Sequence, residues 1–275
     1  MEIFTKPFHI KSEEIQERIN RISLIELSSE DKIKIYHQIL GLIDLTTLEG
    51  SDHKEKIHIL CESAKAMKTA AVCVYPPFVR YAKAQLKGTG IQVASVAGAF
   101  PSGQSPIEVK LAEISYAIEQ GANDIDMVIS RGKFLEGNYQ TVFDEIKAIS
   151  EICKDVHLKV ILETGELGSP ENVRRASDIA IAAGADFIKT STGKIQPAAT
   201  TEVFLVMLDA IKAHFEATGK KIGIKPAGGI SEPEHAIPYF LMVKEVLGED
   251  WLKPQLFRFG ASRLATKIWD QISKV

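Results

Sequence analysis

The 275-residue sequence has only three cysteines, Cys61, Cys73 and Cys153, which are far apart and odd in number. No CxxC pair occurs, so neither a disulfide framework nor a zinc knuckle is indicated. No apolar run approaches the ~20 residues of a membrane-spanning helix. The opening Met1-Glu2-Ile3-Phe4-Thr5-Lys6-Pro7 lacks the apolar core of a signal peptide. A formal net charge of −3 gives no general attraction to nucleic acid or to an anionic membrane. No Pro/Gly/Ser-rich linker and no low-complexity segment divides the chain. These absences point to a cytoplasmic, reducing setting, without nucleic-acid or membrane partners. Any anionic ligand must then be caught by a local arrangement of donors.

What is present has the balance of a globular protein: 45% hydrophobic and 25% charged residues. Ser12 to Leu27 carries Ile15, Ile19 and Ile22 at helical spacing and reads as an amphipathic helix. Ser28-Ser29-Glu30-Asp31 looks like the capped start of a second helix, running to about Leu42. A rhythm follows, with β-like runs at Ile43–Leu48, Ala71–Tyr75, Gln92–Ala97, Asp124–Ile129, Leu158–Thr164, Phe187–Ser191, Ile222–Ala227 and Leu256–Gly260. Helical stretches lie between them. Asp52…Glu55, Ser105-Pro106-Ile107-Glu108, Ser169-Pro170-Glu171 and Ser231…Glu234 read as helix starts. One strand and one helix every ~30 residues is the signature of parallel βα units. Such units admit an open doubly wound sheet or a closed barrel. Eight strands favour the α/β class as a parallel (β/α)8 TIM barrel, whose usual size is ~250 residues. The expected organisation is a helical N-terminal extension over residues 1–42, serving as a cover over one barrel end or an oligomer contact, and a barrel over residues 43–275.

Side chains alternate faces along a strand, so parity can be read from the sequence. Phe187, Lys189 and Ser191 share one face of the sixth strand, and Gly223, Lys225 and Ala227 one face of the seventh. Asp124 and Asp126 share a face of the fourth, Lys159 and Glu163 of the fifth, and Asp44 and Thr46 of the first. The aliphatic residues take the other face each time. Asp44, Asp126, Lys159, Lys189 and Lys225 therefore belong in the lumen, where an ordinary barrel carries Val, Ile and Leu. The plain alternative for any one of them is an ion pair between strands. Buried ion pairs are poor sources of net stability, however, and five convergent charges mark a site.

Two partly desolvated lysines at neighbouring strand ends repel each other, and both effects lower a lysine pKa. The expectation is that Lys189 is kept unpaired by the like charge of Lys225. A neutral amine attacks carbonyls to form a Schiff base, and a nearby carboxylate with water serves acid and base steps without metal or cofactor. The loops Pro226-Ala227-Gly228-Gly229-Ile230 and Phe259-Gly260-Ala261-Ser262, with Gly193-Lys194, offer backbone N–H groups to an anion where barrels bind phosphate. Glycine pairs also simply make turns. Gly193-Lys194 is not the end of a P-loop, because Ile195 stands where Ser/Thr is required. The seven histidines form no HExxH, His53 and His58 read as surface residues, and Gly88-Thr89-Gly90 reads as a helix end. Phe134, Tyr139 and Phe143 read as packing residues. An isomerase using Lys and Asp without a covalent intermediate, or a phosphosugar-binding regulator, are the competing readings.

Asp44-Leu45-Thr46-Thr47-Leu48, Ala71-Val72-Cys73-Val74-Tyr75-Pro76, Glu163-Thr164-Gly165-Glu166-Leu167, Phe187 to Lys194, Ile224-Lys225-Pro226-Ala227-Gly228-Gly229 and Arg258-Phe259-Gly260-Ala261-Ser262 together resemble the deoxyribose-phosphate aldolase family, from about Asp44 to Ala265. The resemblance implies reversible cleavage of 2-deoxy-D-ribose 5-phosphate to D-glyceraldehyde 3-phosphate and acetaldehyde, with no cofactor. It implies a catalytic set of Lys189 as Schiff-base lysine, Lys225 as its pKa-lowering neighbour and Asp126 as proton-transfer carboxylate. Asp44, Lys159 and Thr46 would support the relay, and Cys73 would lie near the aldehyde unless it is a small buried hydrophobe. Gly193, Lys194, Gly228, Gly229, Gly260 and Ser262 would hold the phosphate. The partners implied are phosphosugar and aldehyde substrates, with a homo-oligomer, a dimer, as the expected assembly. Arg263 stands where the family often has a small hydroxyl residue, and Ser231 where some members carry a basic one. The ending Lys274-Val275 is expected to leave the chain without the tyrosine-ending tail of some members. The extension before about Ser28 is absent from the shorter ones.

Overall fold

The computed structural model describes residues 2–273; Met1 and the closing Lys274-Val275, on which the readings of both ends partly fall, lie outside them. Two helices lead in, α1 (Ser12–Ser23) and α2 (Ser29–Leu40). Helix α1 buries Ile15, Ile19 and Ile22 as their spacing predicts, but stops at Ser23 instead of running to Leu27. There the Ser23 hydroxyl folds back onto the Ile19 carbonyl at 2.9 Å, a local bond that competes with helix continuation. Ser28 caps α2, accepting from the Asp31 N–H at 3.1 Å.

Eight strands follow: β1 (Ile43–Thr46), β2 (Ala71–Val74), β3 (Gln92–Val96), β4 (Asp124–Val128), β5 (His157–Ile161), β6 (Phe187–Lys189), β7 (Gly223–Lys225) and β8 (Phe259–Ala261). The remaining helices are α3 (Lys54–Met67), α4 (Val79–Gln85), α5 (Ile107–Glu119), α6 (Arg131–Leu135), α7 (Tyr139–Ile152), α8 (Pro170–Ala182), α9 (Thr201–Thr218), α10 (Pro233–Leu247) and α11 (Leu264–Ile272). All strand pairs are parallel, in the order β7-β6-β5-β4-β3-β2-β1-β8. Bridges Ile224↔Phe257 and Ala227↔Gly260 join β7 to the β8 segment and complete the barrel.

Several strands are shorter than the sequence suggests, for local reasons. Strand β5 ends at Ile161 and not at Thr164, because Glu163 takes a left-handed backbone (φ 55°). Strand β7 stops before Pro226, which has no N–H to offer a neighbour. Strand β8 is displaced to Phe259–Ala261, since Phe257 and Arg258 meet β7 only through the bridge and through the Arg258 N–H to the Ile224 carbonyl. Helix caps were legible only in part. Ser169 caps α8 through the Asn172 N–H at 3.2 Å. Asp52 instead accepts from Thr47 Oγ1 and the Glu49 N–H, leaving His53 at the start of α3. Neither α5 nor α10 has a side-chain cap.

Strand parity sorts the interior. Leu45, Val72, Val74, Val93, Ile125, Met127, Leu158, Val160, Ile188 and Ile224 face the helical layer in one continuous hydrophobic core. Burying each such side chain contributes about 1.5–3 kcal/mol. Cys73, Ala94 and Val96, on the opposite parity, form a separate small cluster with Leu48 inside the barrel. The ring of Phe187 closes the lumen lower down; a Cβ at Gly223 would meet it at 2.4 Å, which is why β7 begins with glycine. Helix α1 packs on α9 and α10, and α2 on α10 and α11, so the lead-in helices lie against the outer helical layer. Phe134 and Phe143 are buried and Phe134 packs on Tyr139, as packing residues should.

Candidate active site

The luminal charges converge on one network that crosses the barrel. Lys225 Nζ donates to Asp44 Oδ2 at 2.5 Å and to Asp126 Oδ2 at 2.7 Å. Lys189 Nζ donates to the same Asp126 oxygen at 2.8 Å. The strands place these groups: Lys189 is the register partner of Lys225, and Asp126 of Lys159. Lys159 Nζ lies 2.8 Å from Asp124 Oδ2 and 3.3 Å from Asp126 Oδ1. Arg258 reaches Asp44 at 2.5 Å and Asp124 at 3.6 Å.

Lys189 is therefore not kept unpaired, as the sequence had suggested; it shares a carboxylate oxygen with its neighbour. Its pKa is nonetheless lowered, because burial, with the like charge of Lys225 behind it, outweighs the attraction of Asp126. Lys225 behaves oppositely. Burial pulls its pKa down, but Asp126 and Asp44 together hold it above the ordinary lysine value. Burial alone would raise the Asp126 pKa, yet Lys189, Lys225 and Lys159 hold it well below the usual carboxylate range. The buried cluster sets three carboxylates, Asp44, Asp124 and Asp126, against four basic side chains, Lys159, Lys189, Lys225 and Arg258, so Lys189 has no carboxylate to itself and burial weakens its charge.

Above the network opens a cavity of 560 Å³ at the C-terminal ends of the strands. Lys189, 3% exposed, is the one lysine of the network that lines it. Thr46, Gly193, Lys194, Gly228, Gly229, Gly260 and Ser262 line it too, and Arg263 stands at its rim. Gly228 has φ 79°, and a Cβ there would meet Ala198 at 2.7 Å and the Gly193 Cα at 3.0 Å. Only glycine lets the loops after β6 and β7 approach so closely. Gly260 packs on the Lys225 stem in the same way, a Cβ there coming within 3.1 Å of its Cε. Lys194 Nζ donates to Glu49 Oε1 at 3.0 Å across the mouth.

Asp44, Asp126, Lys159 and Lys225 sit fully buried beneath this cavity, and Thr46 donates its hydroxyl to the Asp44 carbonyl at 2.7 Å. Cys73 is also fully buried, and burial pushes its thiol up to about 11, so it rests as a protonated, packed side chain. Two members of the network were passed over in the sequence, Asp124 and Arg258. Asp124 shares parity with Asp126, already assigned to the lumen, and Arg258 with Gly260, already assigned to the phosphate loop, so a signal was present. A second cavity, of 580 Å³, lies at the opposite end of the barrel beside Lys65, Lys68, Thr69 and Gln92, and meets the network only through Arg258.

A parallel eight-stranded barrel with a buried low-pKa lysine at the floor of a glycine-lined mouth defines a barrel enzyme of the lysine-centred type. Residues 39–238 match the DeoC/LacD family aldolase pattern. The human protein named deoxyribose-phosphate aldolase is 48% identical over 248 residues, covering 84% of this chain and 78% of that protein. A Caenorhabditis elegans protein named putative deoxyribose-phosphate aldolase is 44% identical over 247 residues, covering 86% and 80%. The crystal structure of a putative deoxyribose-phosphate aldolase from Coccidioides immitis superposes with a TM-score of 0.76 at 28% identity, covering 95% of this chain and 98% of that one. The chain belongs to the DeoC/LacD aldolase family.

Proposed function

We propose that this protein reversibly cleaves 2-deoxy-D-ribose 5-phosphate into D-glyceraldehyde 3-phosphate and acetaldehyde through a Schiff base on Lys189. The observation that carries the reading is that Lys189 alone connects the buried network to the cavity, with its pKa lowered. Its neutral Nζ adds to the C1 aldehyde, and loss of water gives a protonated imine. A base takes the C3 hydroxyl proton, the C2–C3 bond breaks, and its electrons pass to the imine nitrogen, leaving an enamine and glyceraldehyde 3-phosphate. Protonation at C2 and hydrolysis release acetaldehyde and free Lys189.

Asp126 is suited to the proton steps, directly or through water. Its Oδ1 accepts no hydrogen bond among the described residues, while Oδ2 is held by both lysines. The cleavage step discharges the imine nitrogen, which removes one positive neighbour of Asp126 and raises its basicity as the proton arrives. Asp44 and Lys159 keep Lys225 and Asp126 in place. The phosphate would lie against Gly193, Lys194, Gly228, Gly229, Gly260 and Ser262, with Arg263 adding a cation at the rim. Lys194 would exchange Glu49 for the phosphoryl oxygens. Family membership favours this activity over the isomerase reading, which forms no imine.

Borohydride reduction in the presence of acetaldehyde, followed by peptide mass analysis, tests the mechanism. An ethyl adduct on the Lys189 peptide is expected; turnover with an unmodified chain would sink it. The division into an extension over residues 1–42 and a barrel over residues 43–275, a cytoplasmic location and a homodimer complete the proposal. Within the extension, α1 and α2 pack on α9, α10 and α11, and no helix among the described residues is long and apolar enough to cross a membrane. Light scattering gives the assembly directly.

A further inference from the structure

One buried carboxylate takes no part in the steps above, yet four loops at the mouth meet on it. Glu163 follows β5, is fully buried, and holds a left-handed backbone at φ 55°, ψ 59°. L-residues with a Cβ rarely stay in that conformation unless their surroundings over-determine it, and such outliers cluster at functional sites. Here the surroundings are visible. Glu163 Oε1 accepts the Thr192 N–H at 3.1 Å, and Oε2 accepts the Thr192 hydroxyl at 2.5 Å. Arg131 donates to Oε2 at 3.1 Å and neutralises the carboxylate. The same guanidinium reaches Glu166 at 2.9 Å and the carbonyls of Pro101 and Ser102 at 3.1 and 2.9 Å. The loops after β3, β4, β5 and β6 are thus fastened together through two side chains.

The fastening determines which amides of the β6 loop face the cavity. The Thr192 N–H is spent on Glu163. The Thr192 hydroxyl, having donated to Glu163, accepts the Lys194 N–H at 3.1 Å. Between them lies Gly193, at φ 78° and in the cavity wall, and its N–H has no partner among the described residues. A carboxylate inside the loop therefore turns two amides inward and leaves the third for an anionic ligand. The β5 loop is also pressed against the far end of the same segment, where a Cβ at Gly165 would lie 2.0 Å from the Pro197 carbonyl oxygen. A carboxylate facing a phosphate site directly would repel the ligand. Glu163 avoids this by giving both oxygens to Thr192 and Arg131.

We infer that Glu163, with Arg131 as its counter-charge, is a positioning residue that shapes Thr192-Gly193-Lys194 for the substrate's phosphoryl group and has no role at the reacting carbons. This deepens the aldolase reading and rests on it. A general structural ion pair and a phosphate-loop brace make different predictions for a substrate without phosphate.

Steady-state kinetics on 2-deoxyribose 5-phosphate and on unphosphorylated 2-deoxyribose separate them. Glu163→Gln keeps the shape but loses the charge and one acceptor oxygen. The expected result is a roughly tenfold rise in KM for the phosphorylated sugar, with kcat within about twofold and kcat/KM for 2-deoxyribose unchanged. Competitive inhibition by inorganic phosphate should weaken in step. Arg131→Met, nearer the surface, should act in the same direction by about threefold and serves as the test should Glu163→Gln fail to fold. Equal losses on both sugars, or none on either, would overturn the inference while leaving the activity intact. A wild-type protein that cleaves neither sugar would overturn the activity, and this inference with it.

Discussion

The two ends of the barrel carry cavities of nearly equal size, 560 Å³ at the C-terminal mouth and 580 Å³ at the N-terminal end. Both touch the same buried ion network, and both have lysines on their walls. They differ in which side chain makes the connection. At the mouth it is Lys189, whose ammonium burial has weakened, beside loops whose glycines bring backbone close to the space. At the other end it is Arg258, which is fixed to Asp44 and the Pro254 carbonyl and whose pKa is raised: burial works against its charge, but Asp44 and Asp124 prevail. A guanidinium in that state holds its proton and its place. Volume does not distinguish a site from a hollow; the protonation freedom of the group at its floor does.

The comparison can be broken most directly at Lys189. Lys189→Met should reduce turnover on the order of 10⁴-fold, whereas Lys65→Met, in the wall of the other cavity, should stay within about twofold. Comparable losses would mean that the two ends are not functionally distinct. A smaller effect is expected from Lys225→Leu. In the proposed mechanism Lys189 reacts as the neutral amine, so the rate should rise as pH passes upward through its pKa. Removing Lys225 removes a like charge and leaves Asp126 to favour the Lys189 ammonium, and both changes raise that pKa. The rising limb of the pH–rate profile should move up by about one to two pH units, with turnover near neutrality down by roughly 10- to 100-fold. An unmoved limb would show that burial by itself sets the Lys189 pKa. The smallest effect lies at Lys68, at the N-terminal end, which ends α3 with φ 53°. Lys68→Gly should raise unfolding stability by about 1 kcal/mol, read as a higher denaturation midpoint, with kcat/KM unchanged. Loss of activity there would give the far cavity a role in turnover.

Parity exposed much of the site because parallel strands bury both faces and the side-chain period is two. In β4 Asp124 and Asp126, in β5 Lys159, in β6 Lys189 and in β7 Lys225 stand on the parity opposite the aliphatic residues that face the helices, and so point inward. Asp124 obeys the same rule with Asp126, and Arg258, two residues before Gly260, lies just outside β8, where strand parity could not be read with the same force. The failures are of two kinds, local and long-range. The Asp52, Ser105 and Ser231 caps were inferred from adjacent residues, but Asp52 bonds to Thr47 and Lys56 instead, and α5 and α10 start without a side-chain cap. The early end of β5 comes from Glu163, whose partner Thr192 is 29 residues away.

The sequence by itself determined the alternation of strand and helix, the inward face of each strand and the set of charges gathered there, because each is a periodic property of neighbouring residues. Only the tertiary structure decided how those charges pair. Lys225 and Asp44 are separated by 181 residues, and Arg258 and Asp44 by 214. That Lys189 shares an oxygen of Asp126 with Lys225, and is the lysine that reaches the cavity, follows from barrel closure and from the register of β6 on β7. The balance of burial, attraction and repulsion that sets a pKa depends on distances, and the chain acquires those distances only on folding.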